Sequence, residues 1–243
     1  MLIKTRGIVF KSIKYSETSL IVDIYTEEKG LRKYLISGVR RKKASTSASL
    51  FQIMSLVDLV AYHRDDKDLT RIKEIKPDLV FQQIPFDLIK GAIGMFMIEV
   101  AQKTIRESEE NPSLFNFLHH SFAYLDASAN PIANVHLYFL LELSFYLGFV
   151  PTGEFQDHCP YFDLKEGIFI AAPPDHPYYM DELRSKQLSQ LLQCSMENCH
   201  EVKLNRQERK GILNQLLDYY RLHIENFPSI NAHQILEEVL EDS

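Results

Sequence analysis

The hydrophobic pattern of this chain changes period once, and that change constrains its fold more than any other feature. In residues 1–80 apolar residues recur at intervals of two in short runs, as where Leu20, Val22 and Ile24 share one face of an extended segment. From residue 85 onward the interval becomes helical, with Ile93, Phe96, Met97, Val100 and Ala101 on one stripe. The two patterns bury apolar surface in different ways, so one architecture cannot serve both. The expected fold class is therefore α+β and multi-domain: a β-rich domain over residues 1–80 and a mainly α-helical domain over residues 81–243.

Five strands are expected in the first part, over residues 2–14, 19–26, 31–37, 51–63 and 69–76, the last ended by Pro77. Gly7 falls where the first strand's alternation slips, which suggests a bulge there. Five short strands with regular turn signals suggest a small closed barrel, most naturally a five-stranded barrel of the OB type. An SH3-like barrel fits the same strand count.

The second part carries helix-start signals at Asn111-Pro112, at Asn130-Pro131 and at Asn205, which forms a capping-box pattern with Glu208. Residues 136–149 are apolar nearly all round, the signature of a central buried helix. An irregular insertion at about 152–180 contains Pro160, Pro173, Pro174 and Pro177, with room for a hairpin over 161–163 and 168–170. Further helices are expected over 181–193 and 232–241.

The formal net charge of −6 is unevenly spread. Residues 1–80 hold 16 Lys and Arg against 10 Asp and Glu, whereas residues 81–243 hold 11 against 23. The basic part is suited to a polyanion, and the acidic part repels one. Between the third and fourth strands lies a glycine, Gly38, then four consecutive cations, Arg40, Arg41, Lys42 and Lys43, then small hydroxyl and alanine residues. A strongly positive loop of this kind grips phosphates without reading sequence. Arg6, Lys11, Arg32 and Lys33 on the adjoining strands extend the candidate DNA-binding set. Phe10, Tyr15, Tyr25, Tyr34 and Tyr62 are the aromatics near enough to be weighed as base-stacking platforms. A second candidate is the first turn of the helix after Asn205, where Arg206, Arg209 and Lys210 oppose the helix dipole; cations beside free backbone N–H groups suit an anion or a partner's acidic tail.

No P-loop, dinucleotide fingerprint, nucleophile elbow or paired-histidine zinc motif is present, and the chain is not expected to be an enzyme. Three cysteines without framework spacing, Cys159, Cys194 and Cys199, point to a reducing compartment and supply no zinc module. No apolar run is long enough to span a bilayer, so a cytoplasmic protein with no membrane association is expected.

Three ordered blocks resemble a known family, the bacterial recombination and repair mediator RecO. They are Gly7-Ile8-Val9-Phe10-Lys11 with the stretches 25–30 and 36–41; residues 141–151, ending in Gly148-Phe149-Val150-Pro151; and Tyr219-Tyr220-Arg221-Leu222-His223 with Ile230 and residues 236–239. The resemblance implies an N-terminal OB domain that binds single- and double-stranded DNA, annealing of complementary strands, and work with RecR and the single-stranded DNA-binding protein SSB, through its acidic C-terminal tail, to load the RecA recombinase. It implies no nucleotide hydrolysis and a place at the nucleoid. Many members carry a four-cysteine zinc module after the central helix; here only Cys159 matches, so no cofactor is carried over. An OB-fold RNA-binding protein without annealing activity is the alternative, and a metal-dependent nuclease a more distant one.

Overall fold

The computed structural model describes residues 1–39, 47–64, 67–106 and 109–241. The first five strands, β1 (Leu2–Lys14), β2 (Leu20–Thr26), β3 (Gly30–Ile36), β4 (Leu56–Tyr62) and β5 (Leu69–Leu79), close into a barrel in the order β1-β2-β3-β5-β4. β5 inserts between β3 and β4 and runs parallel to β3, pairing Lys33 with Leu69 and Leu35 with Arg71. This Greek-key insertion selects the OB-type barrel over an SH3-like meander. Val9, Val22, Ile24, Tyr34, Ile36, Val57 and Leu59 fill the interior.

Three local expectations are corrected. The register of β1 against β2 shifts between Val9 and Lys11, so the bulge is not at Gly7. Gly7 serves close packing instead: a Cβ there would lie 2.5 Å from Ile24 and 2.9 Å from Leu59. Phe51 belongs not to the fourth strand but to a short 3-10 turn, Ala48–Phe51, and plugs the barrel core at 1% exposure. β5 does not stop at Pro77 but pairs it with Val57. There β3 no longer flanks β5 on its other side, so the missing N–H costs no ladder bond.

Contacts divide the chain into two compact units, residues 1–86 with 98–127, and residues 87–97 with 128–243. Helix α2 (Pro112–Ala127) groups with the barrel in the first unit. Phe115 of α2 stacks 6.2 Å from Tyr25, which stacks 5.4 Å from Phe10. At its far end Asp126, 6% exposed, accepts hydrogen bonds from the backbone N–H groups of Gln82, Gln83 and Ile84. Helix α1 (Leu88–Thr104) contributes to both units.

The second unit is built on α3 (Val135–Tyr146), whose Leu137, Phe139, Leu140 and Leu143 are fully buried, as its all-round apolar character predicts. α5 (Arg206–His223) packs on it, and the Tyr220 hydroxyl donates to the Leu140 carbonyl at 2.7 Å. α5 opens on the expected capping box between Asn205 and Glu208. α4 (Glu182–Leu192) and a terminal helix, α6 (Ala232–Glu241), complete the helices. The insertion at 152–180 is more regular than expected. It holds a three-stranded sheet, β7-β6-β8, of β6 (Tyr161–Asp163), β7 (Ile168–Ile170) and β8 (Tyr179–Met180).

Candidate nucleic-acid interface

The barrel's register decides which cations share a surface. Val9 points into the core, and without a bulge Lys11 would follow it. The register shift turns Lys11 outward, opposite Asp23, and Asp23 in turn lies opposite Lys33. On the adjacent rung Ile13, Ile21, Leu35 and Arg71 succeed one another across β1, β2, β3 and β5. Lys73 follows two residues after Arg71, both exposed on either side of the partly buried Ile72. Lys11, Lys33, Arg71 and Lys73 thus form an outward row, interrupted by Asp23 and with Lys73 Nζ 3.3 Å from Glu74 Oε1 at its end. Arg71 and Lys73 also line a groove with Leu35, Ser37, Gly38 and Phe51 at one end of the barrel. Gly38, at φ 74°, turns the chain out of β3 there.

The sequence-predicted residues divide accordingly. Lys11 and Lys33 join the row. Arg32 does not, because it shares its side of β3 with the inward Tyr34 and Ile36. Arg6 is engaged elsewhere: its Nε and Nη2 donate to Glu27 at 2.9 and 2.6 Å, Nη2 also to Asn116 at 2.8 Å, and its guanidinium lies 5.1 Å over Phe115. The hydrogen bond from Arg6 holds the Glu27 carboxyl below its ordinary pKa. Arg40, Arg41, Lys42 and Lys43 lie outside the described residues. Arg71 and Lys73 were not singled out from sequence, although the alternation Thr70-Arg71-Ile72-Lys73 marks them as outward. Of the aromatics, Phe10, Tyr25 and Tyr34 are buried at 1% exposure, whereas Tyr15 and Tyr62 are exposed.

In the second unit the three predicted cations do converge. Arg206, Arg209 and Lys210 line a pocket with His136, Leu213, Leu236, Glu237 and Leu240. Arg209 has a structural task as well: its Nε donates to the Asn134 side-chain oxygen and its Nη2 to the Leu204 carbonyl, both at 3.1 Å. The Asn134 amide in turn donates to the carbonyls of Cys199 and Val202 at 2.9 Å each. Lys210 pairs with Glu237 at 2.8 Å. His136 is fully buried, neither ring nitrogen has a hydrogen-bond partner, and burial with the nearby Arg209 pushes its pKa down to about 3.

Among the described residues no three side chains of His, Cys, Asp or Glu are grouped to hold a metal ion, and no helix is long and apolar enough to cross a membrane. Burial pushes the Cys199 thiol up to about 12.

An OB-type barrel with a cationic outer row, joined to a helical unit with a cation-rimmed pocket, defines the class: an OB-barrel protein with a helical second unit. The family model described as recombination protein O N terminal matches residues 1–78, and that described as recombination protein O C terminal matches residues 85–229. The DNA repair protein RecO of Bacteroides fragilis is 38% identical over 242 residues, covering 99% of this chain and 100% of that protein. The RecO proteins of Phocaeicola vulgatus and Christiangramia forsetii are 36% and 37% identical over 240 residues, covering 98% of this chain and 99% of each relative. The chain belongs to the RecO family, and its role is in DNA repair and recombination.

Proposed function

We propose that this protein binds single- and double-stranded DNA through the outer face of its barrel, anneals complementary strands, and with RecR helps load RecA onto SSB-coated DNA. The observation that carries this reading is the row Lys11, Lys33, Arg71 and Lys73, whose cations lie on three strands, β1, β3 and β5, of one barrel face. These cations contact phosphates without base readout, so binding is sequence-independent and salt-sensitive. Screening the phosphates of two strands lowers their mutual repulsion and lets bases pair. The loop cations Arg40, Arg41, Lys42 and Lys43 add to the same charge. The protein does this without catalytic chemistry of its own, in the cytoplasm at the nucleoid. The chemistry of the pocket rimmed by Arg206, Arg209 and Lys210 suits the acidic, apolar C-terminal tail of SSB, with cations for its carboxylates and Leu213 for its apolar residues, once the α6 side chains that line the pocket are moved aside.

An annealing assay on complementary oligonucleotides, bare and SSB-coated, tests the whole reading. Accelerated annealing on both substrates is expected. Binding without acceleration would leave only a passive OB-barrel binder, and preference for structured RNA would favour the RNA-binding alternative.

A further inference from the structure

The pocket beneath Arg206, Arg209 and Lys210 already has an occupant on one side, the terminal helix α6. Leu236 and Leu240, one helical turn apart, are buried at 0% and 9% exposure and line the pocket opposite His136 and Leu213. Between them Glu237 pairs with Lys210 at 2.8 Å. The run 236–242 reads Leu, Glu, Glu, Val, Leu, Glu, Asp, so acids and apolar residues are interspersed throughout. Its chemistry is that of an acidic, apolar peptide, and the cations it meets belong to α5.

The seat is imperfect. Glu237 Oε1 and both ring nitrogens of His136 are buried without hydrogen-bond partners. Unsatisfied buried polar groups weaken the contact that encloses them. α6 has 10 residues and two buried leucines, and a helix shorter than about 12 residues is marginal once undocked. An element so held is readily displaced.

We infer that α6 is a displaceable lid, a built-in acidic and apolar segment that competes with a partner's acidic, apolar tail for the pocket formed by α3 and α5. This rests on the reading of that pocket as a tail site. The lid lowers the apparent affinity for a tail by the fraction of molecules in which the pocket is open. A tail present at high local concentration, as on a crowded nucleoprotein filament, then displaces it, while stray acidic peptides do not.

The test uses a fluorescein-labelled synthetic peptide of three aspartates, two leucines and a C-terminal phenylalanine, with fluorescence anisotropy as the readout. The full chain is compared with a chain ending at residue 230 and with full-length Glu237→Gln. A lid closed in about nine molecules of ten predicts about tenfold tighter binding on truncation, and a smaller gain for Glu237→Gln. Hydrogen exchange of the full chain supplies the second readout, which does not depend on the truncated chain folding. Saturating peptide is expected to speed exchange of amides 234–240. Equal or weaker binding by the truncated chain, or slower exchange in α6 with peptide, makes α6 a wall of the pocket and overturns the lid while the tail site stands. No binding by any of the three forms overturns the tail site and the lid together.

Discussion

Replacing Lys33, Arg71 and Lys73 together by alanine removes three of the four cations in the barrel's outward row while leaving its core untouched, since all three side chains are exposed. Each phosphate contact to single-stranded DNA contributes about 0.7 to the slope of log affinity against log salt. Three contacts therefore account for a slope of about 2. At about 0.1 M salt that is roughly a 100-fold loss of affinity, about 3 kcal/mol, and the two proteins converge as salt approaches about 1 M. The assay is fluorescence anisotropy of a labelled oligothymidine across a salt series. Arg6→Ala is the internal contrast. Its guanidinium is committed to Glu27, Asn116 and Phe115, so its loss should cost on the order of 1 kcal/mol of stability and leave the slope nearly unchanged. If the triple variant's salt dependence ran parallel to the parent's, the row would carry no phosphate, and the inference from strand register to DNA path would be refuted.

Because His136 is held neutral with a folded pKa of about 3 against an ordinary 6.5, the unfolded chain takes up a proton that the folded chain refuses as pH falls below 6.5. Stability should drop by about 2 kcal/mol between about pH 7 and pH 5, and His136→Leu should abolish that component in urea titrations at the two pH values. Asn134→Ala breaks two neutral hydrogen bonds and one to Arg209, worth about 4 kcal/mol in all, and thermal denaturation should show a Tm lower by on the order of 10 °C. Gly7→Ala forces a methyl group against Ile24 and Leu59 and should cost about 1–3 kcal/mol, read as a lower urea midpoint.

Much of the fold was legible because it is local. Period two over the first 80 residues located five strands, period 3.6 located the helices, and Asn205 with Glu208 marked the start of α5. The ordered blocks around Gly7, Phe149 and Tyr219 were sufficient to place the chain in its family. The convergence of Arg206, Arg209 and Lys210 was also legible, since all three lie on the first turn of one helix. What escaped depends on partners distant in sequence. Arg71 joins Lys33 only because β5 inserts beside β3 in a parallel pair. Pro77 stays in a strand only because one flank of β5 is unpaired there.

The sequence alone thus determined where most of the extended and helical segments lie, and that the positive charge resides in the first third of the chain. Such properties repeat along the backbone at a fixed period or follow from composition, so a linear reading recovers them. Only the tertiary structure decided which cations share a face. A bulge of one residue turned Lys11 outward, the pleat turned Arg32 inward, and an acid on a neighbouring turn claimed Arg6. Each outcome depends on strand pairing and on the orientation of a side chain relative to a surface, and neither is encoded in any short stretch of the chain.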